Sequence, residues 1–494
     1  MKTALEVAPF GPEAALVTPD SQGLDALARA ALVHGLARAL RRSFPGIRVV
    51  AGGCSVLVAR PAAELGAADL DLDFEASVAP REHTFETVYD GPDLAEVARA
   101  TGLHPSEWIA RHSAPNYTCL LAGFLPGFGY LGELDPTLRM PRRASPRARV
   151  TPGSVAIAVS FTGIYPSASP GGWHCVGRVP SAELFSPERD PPALLQPLDR
   201  VRFVPRESVR ENPQRTAPPI VPRDAALAIG RAAGWNTIVD RGRTLDGLPV
   251  SGPLDEGVFE AANQAVSNAP GCACIEVFGG TLEVEVLDHL LVSVDGSAAR
   301  AVSAGDRLVV RAEARSFVRY LAIAGGVDVP LVLGSRSTLS VAGFGGFCGR
   351  PLRRGDLVGV DRSSVATRSA GSPAVRAADE SVIELVVHPV SFDDRLDPHT
   401  LDLLSAGTYR VSRALDRVGV RLEGPALPRA SLDFGLPDPV LPGAVQITTD
   451  GTPIVLGPDA AVTGGYPVVG VLDRTSRAAL ARQSPGSEVR FERT

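Results

Sequence analysis

Residues 123–178 read GFLPGFGYLGELDPTLRMPRRASPRARVTPGSVAIAVSFTGIYPSASPGGWHCVGR, and the uneven spacing of glycine and proline among short apolar runs decides the fold. Proline presets one backbone angle and glycine admits positive ones. Pro126-Gly127, Pro152-Gly153 and Ser169-Pro170-Gly171-Gly172-Trp173 therefore read as shaped loops between strands. Short β-branched strands at such intervals favour a closed β-barrel.

Working outward, this pattern begins at Thr84, with helices expected over 92–101 and 105–112. Upstream, residues 1–80 predict a small α/β unit. Asp20-Ser21 is expected to cap a helix carrying Leu24, Leu27, Ala31, Val33, Leu36 and Leu40 on one face, and Pro45-Gly46 to end it. Strands follow over 47–50 and 56–58, and an acidic run from Asp69 to Glu75 leads out. Downstream, Pro-rich polar sequence reads as a linker over 207–225, and a second such stretch runs from Asp361 to Glu380. The expected fold is mainly β with an α+β N-terminal unit and tandem β-barrels: 1–80, 84–206, 226–378 and 382–494.

The chain also echoes itself. Thr151-Pro152-Gly153-Ser154-Val155-Ala156-Ile157 returns as Leu441-Pro442-Gly443-Ala444-Val445-Gln446-Ile447, and each is followed by Thr-Gly-x-Tyr-Pro, at 162–166 and 463–467. Asp199-Arg200-Val201-Arg202-Phe203 resembles Ser487-Glu488-Val489-Arg490-Phe491, with a third relative at Gly305-Asp306-Arg307-Leu308-Val309-Val310. Ordered matches of this kind predict duplicated barrels, with Tyr165 and Tyr466 at equivalent rim positions, each lining a cleft.

Composition excludes several classes of function. Lys2 is the only lysine, which rules out an internal Walker A lysine, Schiff base or biotinyl-lysine. A net charge of −6 gives no electrostatic footprint for nucleic acid. The cluster from Arg142 to Arg149 is either a solvated loop or an anion site. No run of eighteen apolar residues exists to span a membrane, and the N-terminus lacks a signal-like pattern, so a cytoplasmic protein is expected. Six scattered cysteines read as buried thiols, and eight histidines without ligand spacing predict no metal site.

Chemistry is expected at the rims. In the first barrel His112, Tyr165, Ser169, Gly171, Gly172 and Trp173 combine an imidazole, donors and a flat aromatic ring. In the second half the carboxylates of Asp240, Asp255 and Glu276 stand with Arg243, Ser251, Asn263, Asn268, Ser335 and Arg336, a set suited to acid–base and anion chemistry. Gln446, Thr463, Gly464 and Tyr466 complete the last rim.

The stretch from Val88-Tyr89-Asp90-Gly91-Pro92 through His112-Ser113-Ala114-Pro115-Asn116-Tyr117 to Arg178 resembles the family called the 5-oxoprolinase B subunit, kinase A inhibitor or allophanate hydrolase subunit 1. Thr237 to Arg243, Val250 to Asp255, Ala322 to Pro330, Leu333 to Thr338, Gly343 to Gly346, Asp416 to Gly424 and Pro442 to Gln446 resemble the 5-oxoprolinase C subunit, or allophanate hydrolase subunit 2. The resemblance implies cyclophilin-like barrels, a B–C fusion and ATP-dependent opening of 5-oxoproline to glutamate. His112, Asp240, Asp255 and Glu276 are the catalytic groups expected from their residue types, and the resemblance implies ATP, with magnesium, as cosubstrate and a separate subunit-A-like partner. A homo-oligomer remains open.

Two other functions remain open. One is a carboxyltransferase module of a urea carboxylase; the other is an inhibitor of a sensor histidine kinase. Three places depart from the family pattern: Val159-Ser160-Phe161-Thr162 stands for Gly-Gly-Gln-Thr, Val239 for a glutamine, and Leu436 to Val440 for a Ser-Glu-Gly-like turn.

Overall fold

A computed structural model describes residues 3–66, 79–180, 182–209, 222, 224–361, 382–390, 395–429 and 436–494. The acidic run 69–75, most of the linker 207–225 and the stretch 362–380 lie outside the described residues.

The N-terminal unit holds β1 (Leu5–Pro9), β2 (Ala15–Pro19), α1 (Ala26–Ser43), β3 (Val49–Ala51) and β4 (Val56–Val58), its antiparallel sheet ordered β1-β2-β4-β3. The helix begins later than Asp20-Ser21 suggested. Asp25 is the cap, its carboxylate accepting from the Ala28 amide at 2.7 Å, while Asp20 closes a turn by accepting from Gln22. One face of α1 buries Val33, Leu36 and Leu40 against Val49 and Val56. The other reaches the first barrel, where the His34 ring lies 3.0 Å from the Leu120 carbonyl. Burial lowers the His34 pKa to about 4, so the ring is neutral and its Nε2–H donates.

The first barrel contains β5 (Glu82–Thr87), α2 (Leu94–Ala100), α3 (Pro105–Ser113), β6 (Tyr117–Ala122), β7 (Gly129–Gly132), β8 (Arg147–Val150), β9 (Ser154–Ala158), β10 (Phe161–Ile164), β11 (Ser169–Gly171), β12 (His174–Arg178) and β13 (Arg200–Pro205). Its path runs β12-β9-β10-β7-β6-β13-β5, with β5 and β13 parallel. Val88 and Arg178 exchange two backbone hydrogen bonds, which brings the ends of the sheet together. Strands β8 and β11 pair as a separate flap.

The middle region holds β14 (Ala225–Val239), α4 (Glu256–Ala265), β15 (Cys274–Val286), β16 (Leu290–Val294), β17 (Arg300–Val302), β18 (Arg307–Arg311), β19 (Val318–Ile323), β20 (Val327–Asp328) and β21 (Leu357–Val360). They form an eight-stranded sheet ordered β17-β16-β19-β15-β14-β21-β20, with β18 on β15, and the described residues show no closed ring there. The C-terminal region folds as β22 (Ile383–Pro389), α5 (Thr400–Ala406), β23 (Thr408–Leu415), β24 (Gly419–Glu423), β25 (Asp438–Pro439), β26 (Ala444–Ile447), β27 (Pro453–Leu456), β28 (Thr463–Gly464), β29 (Val468–Leu472), α6 (Arg474–Ala481) and β30 (Glu488–Arg493). Its barrel closes as β22-β29-β26-β27-β24-β23-β30.

The two barrels correspond strand for strand. β22 and β30 pair in parallel as β5 and β13 do, and Phe491 falls where Phe203 stands. Gly443 donates to the Leu456 carbonyl as Gly153 donates to that of Tyr165. This register corrects one expectation. The first Thr-Gly-x-Tyr-Pro starts on β10, which pairs with β9, whereas the second starts on β28, which pairs with β25. Tyr165 therefore corresponds to Leu456. Since Gly177 pairs with Val155 as Gly470 pairs with Val445, the counterpart of Tyr466 is Trp173. Gly171-Gly172-Trp173 and Gly464-Gly465-Tyr466 are the equivalent elements, and the five-residue coincidence is not a repeat. The proposed third relative also parts company, because β18 pairs antiparallel with β15 rather than in parallel at a closure.

Candidate functional site

The residues expected at the first rim divide. His112 closes the last turn of α3 and is fully buried, with Nδ1 2.8 Å from the Tyr89 hydroxyl and Nε2 2.9 Å from Thr162 Oγ1. Its ring stacks on Trp108 at 5.1 Å, and burial takes its pKa down to about 3. The structure puts this imidazole in the barrel core rather than in a cleft. Tyr165, Ser169, Gly171, Gly172 and Trp173 do gather at the β11 flap. Tyr165 is hydrogen-bonded to the Trp173 backbone, Trp173 packs edge-on to Phe128 and Tyr130, and Ser169 Oγ is buried with no hydrogen-bond partner among the described residues. Tyr165 is itself fully buried, so it does not line a cleft. Within the arginine cluster, Arg143 and Arg147 both clasp the buried Asp93, at 3.0 and 2.6 Å.

In the middle region the three expected carboxylates are engaged by the protein. Asp240 accepts from the Gly242 amide at 2.8 Å, from Ser335 and Ser337 hydroxyls at 2.6 and 2.7 Å, and from the Arg336 amide at 2.5 Å, which fixes the 335–337 loop on the end of β14. Asp255 caps α4 through Val258 and receives Arg482 at 2.6 Å. Glu276 accepts from the Leu254 amide and the Tyr320 hydroxyl and pairs with Arg417. Asn263 and Asn268 bond each other and hold the Gly325 turn.

Sequence reasoning singled out neither Arg417 nor Asp459, though Arg417 lies inside the quoted stretch 416–424. Both are buried. Arg417 meets Asp459 at 3.0 Å through two nitrogens, donates to the Gly252 carbonyl at 2.7 Å, and also pairs with Glu276, so it locks the C-terminal barrel to the middle sheet. Burial alone lowers its pKa, but the two carboxylates outweigh that and hold it above the ordinary arginine range. A local signal was present in that charged turn; the distant partners were not readable.

The last rim faces the first. Thr463 Oγ1 accepts from the Phe124 amide at 3.2 Å, and a Cβ on Gly123 would lie only 1.9 Å from that oxygen, so glycine is required for this approach. Gln446 donates to the Tyr466 carbonyl beside Gly464. Further contacts join the halves: Ser167 Oγ donates to the Val341 carbonyl at 3.1 Å, and Phe185 stacks on Phe344 at 5.3 Å.

Behind Phe344 lies Arg243, where all four regions converge. Its amide bonds Val250, neighbouring Ser251 bonds Pro458 of the C-terminal barrel, and Arg48 of the N-terminal unit reaches its carbonyl. The guanidinium sits 4.9 Å from the Phe344 ring centre and gives one hydrogen bond, Nη2 to the Ser337 carbonyl at 2.5 Å. Gly345 has a positive φ, and a Cβ there would meet Nη2 at 2.3 Å, so the 343–346 loop can cover Arg243 only as glycine. Desolvation lowers the Arg243 pKa to about 10, which leaves it cationic at neutral pH.

Comparison with known proteins follows the same division. Residues 5–195 match the model of carboxyltransferase domain, subdomain C and D, and residues 246–493 match carboxyltransferase domain, subdomain A and B. The chain is 50% identical to the 5-oxoprolinase B subunit of Escherichia coli O157:H7 over 117 residues, 24% of this chain and 53% of that protein. It is 30% identical to the 5-oxoprolinase C subunit of Escherichia coli K12 over 282 residues, 54% of this chain and 90% of that protein. Urea amidolyase of Lachancea kluyveri matches at 27% over 50% of the chain but 15% of its own length. The chain spans about half the length of the curated B-subunit relatives it matches, 53% and 47%. The solved structure of TTHA0988 superposes with a TM-score of 0.83 at 31% identity, covering 97% of this chain and 99% of that one. Among the described residues no helix is long and apolar enough to cross a membrane. The chain belongs to the carboxyltransferase-domain family and joins in one polypeptide a region similar to the B subunit of 5-oxoprolinase and a region similar to its C subunit.

Proposed function

We propose that the chain provides the fused B and C subunits of an ATP-dependent 5-oxoprolinase that works with a separate subunit-A-like protein. The observation that carries this reading is the join itself. The B-like barrel and the C-like region share the Phe124–Thr463 and Ser167–Val341 hydrogen bonds and the Phe185–Phe344 stack, so the two halves are built to act at one place. A lactam resists water because its carbonyl is weakly electrophilic. Phosphorylation of the lactam oxygen by ATP releases ADP and activates that carbon; one water adds, the C–N bond breaks to give an acyl phosphate, and a second water releases phosphate and leaves glutamate. This chain's part is to bind and orient the lactam at the junction. The test is ATP hydrolysis dependent on 5-oxoproline, with glutamate measured, for the chain with and without a subunit-A-like protein. Glutamate is expected only when both are present, and its absence in both arms sinks the reading.

A second reading is a carboxyltransferase module acting on a urea-type amide, favoured by the matches of both halves to carboxyltransferase subdomains. Because Lys2 is the only lysine, the biotinyl-lysine would lie outside these residues. Carboxyl transfer from carboxybiotin to urea, without lactam turnover, would favour it.

A further inference from the structure

Among the described residues, three buried side chains around the junction carry polar atoms without a hydrogen-bond partner. Arg243 is 1% exposed, yet its Nε and Nη1 bond nothing; Ser251 Oγ is 0% exposed and Thr237 Oγ1 1% exposed, both likewise unpartnered. Buried donors left unmade are costly, most of all on a charged group, so a partner that met them here would be bound favourably.

Their placement is related. Arg243 runs beside Val250, the next residue is Ser251, and Ser251 is tied to Pro458, whose neighbour Asp459 holds Arg417. Thr237 pairs across the sheet with Glu276, another Arg417 partner. Among the described residues no carboxylate bonds Arg243 directly, though Asp240 and Asp459 favour its charge from nearby. Asp240 is bound to the 335–337 loop and Gly242, Asp459 bonds Arg417, and Glu276 bonds Arg417, Tyr320 and Leu254. Nη2 carries two protons and Ser337 takes one, so one complete two-donor edge of the guanidinium stays open, shaped for a planar carboxylate. Phosphate suits the place less well, since Arg243 and Arg417 together face three carboxylates, Asp240, Asp459 and Glu276, and that balance opposes a dianion.

We propose that Arg243, assisted by the Ser251 hydroxyl, is the receptor for the carboxylate of a small monoanionic substrate at the meeting of the four regions. On the 5-oxoprolinase reading, on which this rests for the identity of the substrate, the group received is the carboxylate of 5-oxoproline and the lactam projects away from Arg243.

Calorimetric titration of the full chain tests it with four probes: 5-oxoproline, 2-pyrrolidinone (the same ring without the carboxylate), cyclopentanecarboxylate (the carboxylate without the lactam) and inorganic phosphate. Both carboxylates are expected to bind, with 2-pyrrolidinone and phosphate weaker by about tenfold or more, the size of a lost charge-assisted hydrogen bond. Arg243→Lys keeps the charge but loses the fork and, once shown to be folded, should weaken both carboxylates by about tenfold. Ser251→Ala is a milder second variant, expected to weaken them less. Equal binding of 2-pyrrolidinone and 5-oxoproline, preference for phosphate, no carboxylate binding at all, or a folded Arg243→Lys that binds like the parent each overturns the receptor. The two ideas separate cleanly. Arg243-dependent binding of cyclopentanecarboxylate without lactam turnover keeps the receptor and removes the 5-oxoprolinase reading. Full turnover by Arg243→Lys does the reverse.

Discussion

The first and the C-terminal barrels close on the same circle of strands, and residues at matching places differ in an instructive way. Tyr117 faces Val201 as Tyr409 faces Val489, and each tyrosine sits edge-on to a phenylalanine, Phe203 at 5.8 Å and Phe491 at 5.7 Å. Five residues before each tyrosine the chemistry parts: His112 in one barrel, Leu404 in the other, both fully buried. A leucine doing the same packing argues that His112 fills a core position and holds Tyr89 and Thr162 in place. The loops before β7 and β24 part as well. The first barrel has Leu125-Pro126-Gly127 there, with Gly127 close against Leu184, whereas the C-terminal barrel has Asp416-Arg417-Val418 and sends Arg417 into the middle sheet. The first barrel packs this loop on its own region; the C-terminal barrel uses it to grip its neighbour.

The largest effect should come from breaking that grip. Arg417→Met leaves Glu276 and Asp459 buried without their cation, and is expected to cost about 3–5 kcal/mol in denaturant unfolding. Because all three groups are buried, added salt should change the loss little. A loss below about 1 kcal/mol would mean that the C-terminal barrel is held by its apolar contacts alone, and the contrast between the barrels would fail.

Next in size is His112→Leu, which copies the C-terminal barrel into the first. It orphans the Tyr89 hydroxyl, while Thr162 keeps its bond to the Ala156 carbonyl, so the cost should be about 1–3 kcal/mol. Turnover per folded molecule should stay within about twofold, whereas a general base would cost about 100-fold or more. The pH dependence sharpens the comparison. The folded-state pKa of His112 is depressed from 6.5 to about 3, so above 6.5 the ring is neutral both folded and unfolded and its stabilisation is intact. As pH falls below 6.5 the unfolded chain takes up a proton that the folded chain refuses, and stability drops by about 1.4 kcal/mol per unit. His34, lowered to about 4, adds its own share over the same window. The variant lacks the His112 part, so its deficit should shrink between pH 6.5 and 4.5; a constant deficit would show that His112 is charged in the folded barrel.

The barrels themselves were legible because turn chemistry is local: Pro-Gly and Gly-Gly fix where strands end, and Pro152-Gly153 and Pro442-Gly443 do mark matching strand starts on β9 and β26. Register was not legible. Thr-Gly-x-Tyr-Pro looks like a repeat along the chain, yet hydrogen bonding sets one copy on β10 and the other on β28, and only the pairing of Gly177 and Gly470 reveals that Trp173 answers Tyr466. In the site, Arg243 and Ser251 were visible as residue types suited to anions, but what distinguishes them is the partners they lack, which depends on four regions meeting. Asp240 and Glu276 drew attention for the same residue-type reason, and their hydrogen bonds are filled by loops and an arginine far away in sequence.

The smallest predicted effect is the sharpest comparison, because it alters one atom at matched positions. The Tyr117 hydroxyl donates to the His112 carbonyl at 2.8 Å, so Tyr117→Phe should cost about 0.5–1.5 kcal/mol. The Tyr409 hydroxyl is buried and has no hydrogen-bond partner among the described residues. The reason lies in where the preceding helix stops: α3 continues to Ser113 and leaves the His112 carbonyl free for Tyr117, whereas α5 ends at Ala406 and the matching Leu404 carbonyl accepts from the Gly407 amide at 3.3 Å. Removing a buried hydroxyl that bonds nothing relieves its desolvation, so Tyr409→Phe should be neutral or stabilise by up to about 1 kcal/mol. Denaturant midpoints of the two variants, measured side by side, decide the matter. Opposite signs confirm that helix length sets the difference between the barrels, and equal losses would mean that the Tyr409 hydroxyl has found a partner equivalent to the His112 carbonyl.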